Sequence, residues 1–123
     1  MDAIGKTVWL IPDMYWPEIT TKGHYVSHES VCVLNPSKQD CALEFTLYYE
    51  DRDPVGGLLA VCPAQRTHHI RMDRLVDGQG VHIPMGVPYA AVVKASVPVV
   101  VQYTRVDTTQ CANSLMTTMA YPL

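Results

Sequence analysis

Apolar and polar residues alternate with period two along most of this chain, the signature of extended strands rather than helices. The clearest run is Cys41 to Glu50, where Leu43, Phe45, Leu47 and Tyr49 share one face and Glu44, Thr46, Tyr48 and Glu50 the other. That is a sheet with one wet side. Gly5 to Ile11 predicts a first strand, ended by Pro12-Asp13, with apolar residues on both faces as in an interior position. His24 to Leu34 predicts a second, stopped by the turn sequence Asn35-Pro36-Ser37. The charged tip Asp51-Arg52-Asp53-Pro54 turns the chain into Gly56 to Cys62, and Pro63-Ala64-Gln65 turns it again into Arg66 to Met72.

Val81 to Ile83 suits only a brief pairing. Tyr89 to Ala95 and Pro98 to Val106 predict two consecutive antiparallel strands. In the second of these Val99, Val101, Tyr103 and Arg105 share a face, so one strand runs from apolar core into a polar site. Cys111 to Tyr121 has helically spaced apolar residues, but Thr117, Thr118 and Tyr121 favour a strand after a short turn. Seven or eight short strands with turns between them predict an all-β fold, an antiparallel β-sandwich of about eight strands in a single domain over residues 1–123. No Gly-rich loop joins a strand to a helix, which argues against a βαβ nucleotide fold.

Composition narrows the function. A hydrophobic share of 48% with 17% charged residues is globular, and a net charge of -3 gives no general attraction to nucleic acid or anionic lipid. The apolar stretch from Val87 to Val101 is broken by Lys94, Ser96 and prolines, so no membrane insertion is expected. Cys32, Cys41, Cys62 and Cys111 lack any C-x-x-C spacing and read as reduced thiols. With no secretory signal visible at the N-terminus, the expected location is cytoplasmic.

No catalytic motif emerges. His68 and His69 are adjacent on a strand and point apart, and no H-x-H or H-x-x-x-H grouping supplies two ligands, so neither a metal nor a cofactor is expected. Ser27-His28-Glu29 has the residue types of a triad, but strand neighbours diverge. Arg66, Arg71 and Arg105 sit in strand-like surroundings, where a guanidinium must find solvent, a carboxylate or a ligand oxygen. For Arg105 two accounts stand: an ion pair with Glu29 or Asp107, or a ligand site beside a flat aromatic ring.

Several blocks together resemble the Anabaena sensory rhodopsin transducer family: Gly5-Lys6-Thr7-Val8-Trp9, Ser27 to Asn35, Tyr48-Tyr49 with Pro54-Val55-Gly56, Pro63 to Thr67, Pro98 to Asp107 and Asn113 to Tyr121. The resemblance implies a small soluble β-sandwich that assembles as a homotetramer. It also implies a non-enzymatic role in binding a small polar ligand, a sugar or related metabolite, or in signalling. Candidate ligand-binding residues are Trp9, His28, Glu29, Arg66, Gln102, Arg105 and Asp107. Trp9 would stack on a sugar face, the arginines and Gln102 would donate to oxygens, and Glu29 or Asp107 would accept from hydroxyls. The rival expectation is an accessory protein that docks on a membrane receptor or other protein through an exposed Tyr15-Trp16 pair and the Asp51-Arg52-Asp53 tip. An enzyme of carbohydrate metabolism using His28 and Glu29 is a third.

Overall fold

The computed structural model describes residues 2–123 and holds eight strands: β1 (Lys6–Met14), β2 (His28–Asn35), β3 (Cys41–Tyr49), β4 (Val55–Cys62), β5 (Arg66–Arg71), β6 (Tyr89–Asp107), β7 (Ser114–Met119) and β8 (Tyr121–Pro122). Every strand pairing is antiparallel. One sheet runs β4-β3-β6-β1-β8; the other places β6 between β2 and β7, with β5 beyond β2. The expected all-β antiparallel sandwich is therefore the fold.

β6 belongs to both sheets. Tyr89 to Ala95 pairs with β3, and Val100 to Val106 pairs with β2. The two strands expected here are one continuous strand of 19 residues whose halves do not pair with each other. The misleading signal was Pro98. It falls between the last partner in β3, at Ala95, and the first in β2, at Val100. A missing backbone N–H costs least where the strand is changing sheets. Gly5 packs against this corner: it has φ +115, and a Cβ there would lie 1.9 Å from the Val99 carbonyl oxygen. No other residue fits so close to the β6 backbone.

The two sheets enclose a core set by alternation. Leu43, Phe45 and Leu47 of β3, Val31 and Val33 of β2, and Val93, Val99 and Val101 of β6 all turn inward and are buried. Burying each such side chain contributes about 1.5–3 kcal/mol. Three boundaries differ from expectation. β1 continues through Pro12-Asp13 to Met14, because a bulge between Ile11 and Met14 absorbs the proline. β2 begins at His28 rather than His24, since Ser27 is held by the Ile19 carbonyl and the Thr108 hydroxyl instead of a ladder. The chain after Met72 forms a 3-10 turn, Met72–Arg74, and Val76 to His82 is a single isolated bridge. The Cys111 to Tyr121 region is strand, as β7 and β8, and all four cysteines are free thiols.

Candidate functional site

Glu29 is the second residue of β2, and alternation turns it inward beside Val31, leaving it 1% exposed. A carboxylate in that position must be met by donors. Three meet it. The Tyr15 backbone N–H donates to Oε2 at 2.7 Å, the Tyr89 hydroxyl to Oε1 at 2.6 Å, and the Tyr103 hydroxyl to Oε2 through a short hydrogen bond. Tyr89 begins β6 and Tyr103 lies near its end, so they are far apart in sequence. The change of sheet folds the strand's halves over one another, and Glu29 sits between the two rings.

Burial first, and then the charge of Glu29, push both phenols above their ordinary pKa, most strongly Tyr89. Both hydroxyls are fixed as donors to the carboxylate. The network then reaches the surface: Arg105 Nε donates to the Tyr103 hydroxyl at 3.1 Å, and its Nη2 donates to Asp13 Oδ1 at 3.2 Å. The guanidinium carbon lies 5.7 Å from the Tyr103 ring centroid and 6.0 Å from that of Tyr15. Burial alone would lower the Arg105 pKa, but Tyr103 and Asp13 outweigh it and hold the group above its usual value. The bulge in β1 is what turns Asp13 toward Arg105.

Beside this network lies an open recess of about 320 Å³ whose walls include Asp13, Tyr48, Tyr49, Glu50, Pro88 and Tyr89. It forms because three strands end in one row, with Met14 opposite Tyr89 and Tyr89 opposite Tyr49. The Tyr49 and Tyr89 rings stand 6.3 Å apart and tilted by 37°. Tyr49 also borders a second recess of about 260 Å³, floored by Leu47, Val55, Leu58 and Ile83. Arg52 covers the Tyr49 ring at 4.9 Å. Aromatic walls with two carboxylates suit a solute that is apolar on one face and donates hydrogen bonds at its edges.

The seven sequence candidates do not all converge. Glu29 and Arg105 meet through Tyr103 rather than directly. Arg105 pairs with Asp13, not with Glu29 or Asp107. Asp107 accepts instead from the Thr109 N–H at 2.9 Å, and hydrogen bonds from Thr109 lower its pKa. His28 points away from Glu29, and its Nδ1 donates to the Val26 carbonyl at 2.7 Å. Gln102 is on the outer face, donating to the Thr117 hydroxyl at 2.5 Å. Arg66 pairs with Asn35 at the far end of β2, about 20 Å along the strand from Glu29. Trp9 is 4% exposed, and its Nε1–H donates to the Lys6 and Val99 carbonyls, so its ring packs in the core. Tyr15 and Trp16, expected to be exposed, are half-buried.

Asp13, Tyr89 and Glu50 were missed as site residues. Asp13 read as a strand terminator and Tyr89 as ordinary strand filler, since only the third dimension brings them to Arg105 and Glu29. Glu50 did carry a signal: it closes the clearest alternating run and follows two tyrosines. Among the described residues no three His, Cys, Asp or Glu side chains converge as metal ligands would.

The Anabaena sensory rhodopsin transducer family model matches residues 4–122. Among solved structures, a Thermotoga maritima protein, 1070, superposes with a TM-score of 0.85 at 32% identity, covering 97% of this chain and 96% of that one. The Anabaena sensory rhodopsin transducer itself superposes with a TM-score of 0.75 at 39% identity, covering 89% of this chain and 95% of that one. No curated protein matches. Fold, length and sequence agree from β1 to β8, and this chain belongs to the Anabaena sensory rhodopsin transducer family.

Proposed function

We propose that this protein is a non-enzymatic binding module for a small hydroxyl-rich molecule, sugars first, taken at the recess between Tyr49 and Tyr89. The observation that carries this reading is the pairing of an aromatic wall with two carboxylates, Asp13 and Glu50, next to a fully hydrogen-bonded buried network. A sugar's C–H face lies against the tyrosines while its hydroxyls donate to the carboxylates, and Glu29 keeps Tyr89 from rotating away. Arg105, one contact behind Asp13, orients that carboxylate and offers a further donor.

A second reading has its own observation. Leu10, Pro12, Tyr48, Val92 and Tyr121 line a shallow apolar recess on the outer face of the first sheet, and Met119 and Leu123 are largely exposed nearby. Such a surface suits assembly into a homotetramer or docking on a protein partner, a receptor included, as the name of the Anabaena relative suggests. No helix among the described residues is long and apolar enough to cross a membrane, so any receptor is met from outside the bilayer, with the cytoplasm as the proposed setting.

A thermal-shift screen against sugars, sugar acids and nucleotides tests the first reading. At least one sugar should raise the melting temperature of the wild type and leave Tyr49→Ala unmoved. A screen in which no sugar shifts it contradicts the reading. Light scattering at micromolar concentration tests assembly: about four times 13.7 kDa supports the tetramer, and 13.7 kDa itself removes it.

A further inference from the structure

Tyr49, Val55, Val81 and Pro84 stand around the second recess, of about 260 Å³, and the buried Leu58 and Ile83 close its base. Three charged or titratable side chains share its rim, and each already has a partner within the chain. Arg52 Nε and Nη2 donate to Asp51 at 2.9 and 3.3 Å. Asp77 Oδ1 accepts from the Gln79 and Val81 N–H groups at 2.8 and 3.0 Å. His82 Nδ1 donates to the Asp73 carbonyl at 3.1 Å. What the recess chiefly offers a solute is therefore apolar surface.

The rim is a built turn. The Asp77 N–H donates to the Val81 carbonyl at 3.0 Å, the Gly80 N–H to the Asp77 carbonyl at 3.1 Å, and Val76 forms a bridge with His82. Closed by its own hydrogen bonds, the turn stands over the gap without filling it, where a protein interior would ordinarily be close-packed. An apolar cavity of about 150 Å³ holds a benzene molecule, so this larger space admits one ring. Tyr49 is common to this recess and to the one beside Tyr89. Whatever lies against Tyr49 in one has the other next to it.

We infer that the two recesses are halves of one site and that its ligand is a glycoside, with the sugar beside Tyr89 and a compact apolar aglycone, of about the size of a phenyl ring, against Val55 and Ile83. The inference rests on the sugar reading above and adds the chemistry of the substituent. The ordinary alternative is a corner left loosely packed where the turn crosses the sheet, which needs no occupant.

The test is calorimetric titration of the full chain with methyl and phenyl β-glucosides and β-galactosides, with NMR of the side-chain methyl groups to locate the aglycone and benzyl alcohol as a probe that carries no sugar. One phenyl glycoside should bind about tenfold tighter than its methyl counterpart, since the ring leaves water for an apolar wall. It should shift the Val55, Leu58 and Ile83 methyls saturably, the methyl glycoside should not, and benzyl alcohol should reach the same methyls at higher concentration. In Val55→Phe, whose larger side chain fills the recess from β4, the phenyl advantage should vanish. Equal affinity of the methyl and phenyl forms overturns the aglycone and leaves the sugar reading standing, as does a phenyl advantage kept in Val55→Phe or accompanied by shifts elsewhere. If neither sugar binds while benzyl alcohol still saturates these methyls, the sugar reading falls and the glycoside with it, and the apolar recess remains.

Discussion

Glu29 and Asn35 lie six residues apart on β2, both turned inward and both no more than 1% exposed, yet the sandwich uses them in opposite ways. Asn35 Nδ2 donates to the Gln39, Cys62 and Pro63 carbonyls, while its Oδ1 accepts from the Ser37 N–H and hydroxyl. Its partners are nearby backbone and one neighbouring serine. An amide, with two donors and an acceptor, fits the mixed needs of two turns and pins them shut. Glu29 can only accept. It collects two tyrosine hydroxyls from opposite sheets, and one of them leads on to Arg105 and Asp13 at the surface. A buried polar residue is thus no sign of function by itself. What distinguishes the two is whether the partners are backbone groups that close a loop or side chains that reach solvent.

Removing the two anchors should break the fold unequally. Glu29→Ala leaves two buried hydroxyls and an amide without an acceptor, at about 1–3 kcal/mol each, so a loss of roughly 4 kcal/mol in urea unfolding is expected. Asn35→Ala should cost about 2 kcal/mol, since the Gln39 and Pro63 carbonyls belong to exposed residues and can turn toward water, leaving the buried Cys62 carbonyl and the Ser37 donors to carry the loss. An Asn35 variant as damaged as the Glu29 variant would erase the distinction. Tyr103→Phe comes next, at about 1–2 kcal/mol, because Glu29 keeps its other two donors.

Alkaline pH separates the anchors without mutating either. Tyr89 and Tyr103 have folded pKa values raised above the ordinary 10, so their contribution to stability is fully present below about pH 10 and is lost as pH rises through the folded values. The melting temperature should fall beyond pH 10. Tyr103→Phe should make that fall shallower, and Asn35→Ala should leave its slope unchanged. Tyrosinate absorbance that rises fully at pH 10 in the folded protein would show that the two phenols are not held. The smallest effect belongs to Arg105→Ala. Asp13 is 81% exposed in that pair, so solvent screening leaves about 0.5 kcal/mol or less, and its loss should appear in ligand affinity rather than in unfolding.

The sequence made the strands legible because each buries one face, and Cys41 to Tyr49 reads as directly in the structure as in the alternation. It also placed Tyr103 and Arg105 on one face of a strand that runs from core to surface. What it hid was long-range. Nothing local shows that β6 changes sheets at Pro98, so nothing local shows that Tyr89 and Tyr103 share one carboxylate. Trp9, as a flat aromatic ring, was the candidate to stack on a sugar face. Its indole N–H is instead spent on the corner at Val99. Glu29 and Arg105 were found as chemistry; the hydroxyl between them was not.

The claim that the Tyr49 recess is a sugar site is tested most directly by calorimetric titration of the best sugar from the screen into wild type, Asp13→Asn and Glu50→Gln. Both carboxylates are exposed, so the variants should melt with the wild type. Loss of a charge-assisted hydrogen bond, about 1.5–3 kcal/mol, should weaken binding roughly ten- to a hundred-fold in each variant. Undiminished affinity in both, at unchanged melting temperature, would contradict the account.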